Sequence, residues 1–197
     1  MNTRILLAGI LGGIGMFIWT SLAHMVLPLG EAGLREIPNE TAVLGALNTS
    51  MGENRGLFVF PGPGLGPTPS QEQKSEAMKH MDEKLANNPS GIIMYFPPGR
   101  KFPIGRALGV EFATELVEAI LVVWLLSQTV LSSFVSRLTF VTVAGVIAAI
   151  ATNISYWNWY GFPKRYTAAY IFIQVVGFFI IGLISAFLLR KKVAITR

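Results

Sequence analysis

The chain has 197 residues, no cysteine, a net charge of +5 and only 14% charged residues against 52% hydrophobic ones. An ordinary soluble domain carries roughly 25% charged residues, and the mean hydropathy of +0.52 points the same way. Soluble-enzyme, disordered and disulfide-scaffold readings are thereby weakened, and an integral membrane protein remains.

The first apolar stretch, 5–27, fits the roughly 20 residues that span a bilayer. It has a second reading. Arg4, an apolar run and then Ser21-Leu22-Ala23 resemble a signal peptide, whose cleavage after Ala23 would leave His24 as the new N-terminus. The run continues through Leu27, beyond an h-region of about 7–15 residues. Gly9 and Gly13, spaced i, i+4, suit a helix packed closely on a neighbour. The spanning reading is preferred, and residues 1–27 form transmembrane helix 1.

Residues 28–105 form a long loop with seven bases and eight acids, so the positive charge of the protein does not arise there. Asn39 is placed to cap a short helix with Val43, Leu44 and Leu47 on one face. Leu57-Phe58-Val59-Phe60 is an apolar, β-prone run closed by Pro and Gly. Ser70 with Gln73 fits a capping box that opens a helix over 71–86, with Met78, Met81 and Leu85 on one face. Ile92-Ile93-Met94-Tyr95-Phe96 is a second apolar run, again closed by Pro and Gly. Both runs are continuously apolar, as in strands buried on both faces of a βαβ unit. They are expected to pair in one small sheet with the 71–86 helix packed on it. Met78, His80 and Met81 could suit a soft metal. The helical spacing instead puts the two methionines in a core and His80 off that face.

Residues 106–197 hold three further spans, over 107–131, 138–156 and 167–189. The expected fold class is therefore an integral membrane, mainly α protein. It is a four-helix transmembrane bundle with a small α+β extracytoplasmic domain inserted between helices 1 and 2. Arg4, Arg137, Arg190, Lys191, Lys192 and Arg197 fall on one side with no acid, against Lys164 and Arg165 on the other. The side with six bases reads as cytoplasmic, so both termini lie inside and 28–105 lies outside, at the cell (inner) membrane.

Ionisable residues inside a span are costly and mark function. Glu111, Glu115 and Glu118, at i, i+4, i+7, share one stripe of the second helix, over roughly 10 Å of its axis. His24 on the first helix, Asn153 on the third and Gln174 on the fourth also fall in the outer half. A polar pocket in the outer half of the bundle is the expected ligand- or ion-binding site. Three close carboxylates need protons, a bound cation or ion pairs with Arg100, Lys101 or Arg106. The competing readings are a structural hydrogen-bond network between helices and an interfacial position for the outer glutamates, with the span beginning near Phe112. Trp157, Trp159 and Tyr160 are expected to anchor the outer interface.

No phosphate loop, nucleophile elbow or zinc-protease motif is present, and two histidines give little support to histidine-rich catalysis. No basic patch interleaved with aromatics suggests nucleic acid. Cofactor and metal stay open, and a cation held by the glutamates with His24 as an additional ligand is one of the alternatives. Three functions follow in order. The first is an accessory, interaction or ligand-binding subunit without chemistry of its own. The second is a proton- or cation-coupled carrier or channel working as an oligomer. The third is a membrane enzyme using His24 and the glutamates, which lacks an evident nucleophile. The expected partners are the lipid bilayer and a membrane-protein partner or a second copy of the chain.

Overall fold

In the computed structural model, which describes residues 2–189, the chain is mainly helical, at 68% helix, with a small two-stranded sheet. The element order is α1 (Thr3–Met25), α2 (Glu40–Met51), β1 (Gly56–Phe60), α3 (Gln71–Lys79), α4 (Met81–Asn87) and β2 (Gly91–Tyr95). Then come α5 (Ile104–Ser127), α6 (Phe134–Tyr160) and α7 (Lys164–Leu188). Two compact units emerge, Met1–Leu34 with Pro103–Arg197, and Arg35–Phe102.

Three helices, α1, α6 and α7, are long and apolar enough to cross a membrane. This supports a membrane-embedded protein. At 24 residues α5 is as long as α1, but Arg106, Glu111, Glu115 and Glu118 lower its apolar content.

In the first unit α1 packs on both α5 and α7, and α6 packs on α7, while α5 touches α6 and α7 only lightly. Small residues permit these approaches. A Cβ on Gly13 would lie 2.8 Å from Leu116 Cα, and one on Gly9 would lie 2.9 Å from Ile120 Cα. The sequence spacing of these two glycines therefore does mark a close helix contact. With Phe17 edge-on to Phe112 at 5.2 Å, the pairings run antiparallel: rising numbers on α1 meet falling numbers on α5. Gly12 against Ile181 and Met16 against Gly177 order α1 and α7 the same way. Gly145 receives Phe178, and Gly182 receives Leu138, between α6 and α7. The core contains Ala8, Met16, Val122, Val123, Val141, Phe178 and Ile181. Trp19 Nε1 donates to Ile173 O at 2.9 Å, an interhelical bond that satisfies the indole within apolar surroundings.

The helix ends differ from the sequence expectation, because capping rather than hydropathy sets them. Ser133 accepts from Ser136 N and starts α6 four residues before 138. Gly161, at φ 70°, ends it in the left-handed conformation glycine favours. Arg137, expected in a loop, is therefore in the first turn of α6 and only 6% exposed. Its Nε donates to Leu131 O at 3.0 Å and its Nη1 to Leu189 O at 2.7 Å. Lys164 and Arg165, also expected in a loop, open α7. Of the six bases used to orient the chain, Arg190, Lys191, Lys192 and Arg197 lie outside the described residues.

In the second unit the two apolar runs do pair, but antiparallel, with Gly56 opposite Tyr95 and Phe60 opposite Gly91. The βαβ expectation, with both faces buried, is overturned. Leu57, Val59 and Met94 stand exposed, so the sheet does not have two covered faces. A continuous apolar run does not encode strand direction. The expected 71–86 helix is broken at His80 into α3 and α4. Met78 is 68% exposed rather than packed in a core. The capping box is present: Ser70 Oγ accepts from Gln73 N, and Ser70 N donates to Gln73 Oε1. Asn39 does sit at the α2 N-cap, but at φ 54° and without a side-chain bond to the helix. Tyr95 is buried and its hydroxyl donates to Gly52 O at 3.0 Å, tying the sheet to the end of α2.

Candidate functional site

The three glutamates on α5 occupy different environments although they share a stripe. Glu111 is exposed, Glu118 is half-buried and Glu115 is only 3% exposed. With α5 starting at Ile104, Glu111 lies about two turns into the helix rather than one. Glu115 is held where α1 and α5 are closest, with its own backbone carbonyl against Gly13. Its Oε2 has no hydrogen-bond partner among the described residues. An unsatisfied polar atom in a dry interior is costly, so such an atom calls for an explanation.

The Thr20 side chain of α1 interacts with this carboxyl. The backbone carbonyl of Thr20 also binds His24 Nδ1 at 2.9 Å. A carbonyl only accepts, so Nδ1 carries the proton and Nε2 is left to accept in the neutral ring. Thr20 thus joins two residues, His24 and Glu115, that the sequence singled out separately. The sequence reasoning missed Thr20 itself. Its signal was a hydroxyl four residues before His24, on the same helical face.

His24 also meets Tyr170 edge-on at 5.7 Å, and Tyr170 stacks on Tyr166 at 4.2 Å. Tyr166, Phe162 and Tyr156 continue the series at 5.2 and 5.4 Å. An aromatic ladder thus runs from the end of α1 across the start of α7 to the end of α6. Gly33, at φ 85°, lies against Pro163 and Tyr166, where a Cβ would come within 3.1 Å of either.

Asn153 and Gln174 are not joined to the glutamates by any hydrogen bond among the described residues. Asn153 is buried and its Nδ2 donates to Ala149 O of its own helix. Gln174 is half-buried on α7. Trp157, Trp159 and Tyr160 are exposed in the last turns of α6.

Of the three resolutions open to the glutamates, ion pairing is not seen among the described residues. Among the described residues the ion pairs are Lys79–Glu76 and His80–Glu76, both on exposed side chains, and neither involves α5. Arg100 instead lies over the Phe96 ring at 3.7 Å. No group of three or more His, Asp or Glu side chains among the described residues is placed to hold a metal ion.

Toward the His24 end, α1 and α5 draw apart. Gly105 and Gly109 continue the Phe112, Leu116, Ile120 stripe, yet a Cβ on either would meet nothing within 4 Å. The arrangement can offer a carboxyl acceptor, a hydroxyl and an imidazole to a donor entering from that end. No protein-family model, curated protein or solved structure matches the chain.

Proposed function

We propose that the protein is a small polytopic membrane subunit that binds a ligand or partner in a polar pocket between α1 and α5. The observation that carries this reading is the buried Glu115 carboxyl with its unpartnered Oε2. A hydrogen-bond donor or cationic group from a ligand or partner would satisfy that oxygen. The uncovered Gly105 and Gly109 leave room for backbone or side chain to approach beside it. In this reading α5 is a fourth span. Its 24 residues reach about 36 Å, and it lies antiparallel along α1. A carboxylate on a span is not left facing acyl chains, so exposed Glu111 and half-buried Glu118 also call for cover by a partner or a second copy.

The proposed orientation keeps both termini in the cytoplasm and 28–105 outside the inner membrane. Arg4 and Arg137 line one cleft, which supports placing these bases on a single side. The absence of native cysteine allows single-site labelling. Ser50→Cys should react with an impermeant maleimide in whole cells and Ser132→Cys should not.

The binding reading is tested by purification from native membranes in mild detergent. A protein or small molecule should co-purify and be lost in Glu115→Gln. Recovery as a lone monomer, identical for both forms, refutes it. A second reading, proton- or cation-coupled transport by an oligomer, is favoured by the same stripe of three carboxyls. Glu115→Gln with Glu118→Gln should then abolish pH-dependent flux in liposomes, and unchanged flux removes that reading.

A further inference from the structure

The opposite end of the first unit carries a cleft of about 300 Å³ where the chain starts of α1 and α6 meet the ends of α5 and α7. Arg4 and Arg137 both line it, and no acidic residue does. Burying a guanidinium without a carboxylate is costly unless its donors are met. Arg137 meets that cost with two backbone carbonyls and with a third nitrogen that is not enclosed. Nε and Nη1 bind the carbonyls of Leu131 and Leu189, which fix the plane of the group. Nη2 has no partner among the described residues.

The other polar groups of the lining sort by type. Thr129 Oγ1 donates to Leu126 O, and Ser127 Oγ donates to Trp124 O. Asn2 Oδ1 is occupied by Arg4 N, which leaves its Nδ2 as a donor. The Ser132 hydroxyl and the Arg4 guanidinium make no hydrogen bond among the described residues. The groups left open are thus the Arg4 guanidinium, Nη2 of Arg137, an amide N–H and a hydroxyl. This set is short of acceptors and matches an oxyanion with several oxygens.

A second, wholly apolar groove of about 620 Å³ lies along α1 and α7, lined by Leu11, Ile14, Ile18 and Leu183. It extends to Phe134, one turn before Arg137, and to Leu188, next to Leu189 of the first cleft. A phosphate beside an acyl-sized groove has the outline of a phospholipid. We propose that the Arg4–Arg137 cleft binds a phosphate group, that of an anionic phospholipid whose acyl chain lies in the α1–α7 groove. Basic recesses between spans at the cytoplasmic face suit such head groups. The proposal does not depend on the pocket around Glu115.

The test uses the full-length protein in neutral detergent, titrated with phosphatidylglycerol, with phosphatidylcholine and with inorganic phosphate, with bound mass read by native mass spectrometry. One phosphatidylglycerol should be retained in preference to phosphatidylcholine. Arg4→Gln should weaken its retention roughly fivefold, and it leaves the carbonyl bonds of Arg137 intact. Displacement of the lipid by millimolar inorganic phosphate would identify the phosphate as the recognised group and leave a soluble phosphate as its source. Equal retention of both lipids, with no phosphate bound, overturns the proposal. So does an unchanged Arg4→Gln protein if binding is lost on replacing Arg190, Lys191 and Lys192 with Gln, because the tail rather than the cleft would then hold the lipid.

Discussion

The same substitution at two glycines should have opposite outcomes. Gly13→Ala puts a Cβ 2.8 Å from Leu116 Cα and 3.3 Å from Glu115 O. Real Cβ contacts rarely fall below 3.4 Å, so α5 must retreat by at least about 0.6 Å, and the obstruction is backbone, which cannot rotate away. Overpacking of this kind costs about 1–3 kcal/mol. Gly109→Ala meets nothing within 4 Å. Both changes gain the helix-propensity advantage of Ala over Gly, about 0.8–1 kcal/mol. Gly109→Ala should therefore be stabilising by about that amount. Gly13→Ala should range from neutral to destabilising by about 2 kcal/mol. The propensity gain cancels in the difference, which isolates the packing term at about 1–3 kcal/mol. Unfolding in mixed SDS micelles, followed by tryptophan fluorescence, measures it. Equal stability of the two variants would refute the close α1–α5 contact at Gly13.

Arg137→Lys should destabilise by about 2–4 kcal/mol in the same assay. One ammonium cannot reproduce the planar reach to Leu131 O and Leu189 O. Wild-type stability of that variant would show that the two carbonyl bonds contribute little. Ser70→Ala removes the α3 capping box and should cost about 0.5–2 kcal/mol of local stability, seen as faster amide exchange over Gln71–Lys79. The hydrogen bond from Lys79, aided by His80, holds the Glu76 carboxyl below its ordinary value. A lowered carboxyl pKa makes its contribution present above the unfolded pKa and lost as pH falls through the folded one. Carboxyl chemical shifts in Lys79→Ala should show the Glu76 midpoint moved up, and an unmoved midpoint would remove Lys79 as the cause.

Much of the architecture was legible because hydropathy and small-residue spacing are local signals. Residues 5–27 and 167–189 announced α1 and α7 within two or three residues at either end. Gly9 and Gly13 announced a close contact without naming the neighbour. The Ser70–Gln73 box was legible because both of its bonds lie within one helical turn. The antiparallel β1–β2 pairing was not. Strand direction depends on how the intervening chain returns, and Leu57 and Met94 look alike whether buried or exposed.

For the candidate site, the stripe of Glu111, Glu115 and Glu118 follows from the helical repeat alone. Which of them is interior does not. The approach of α1 at Gly13 buries Glu115 and leaves Glu111 exposed. That approach also brings Thr20 to the same carboxyl, a meeting of residues far apart in the chain. Arg137 shows the same division. Its charge was readable as a mark of sidedness, but only the folded chain brings Leu131 O and Leu189 O to its guanidinium. Composition alone directs this chain to a membrane, because 14% charged residues cannot cover a soluble surface. Which charged groups are enclosed follows from helix packing, because burial depends on neighbours that the helical repeat cannot supply.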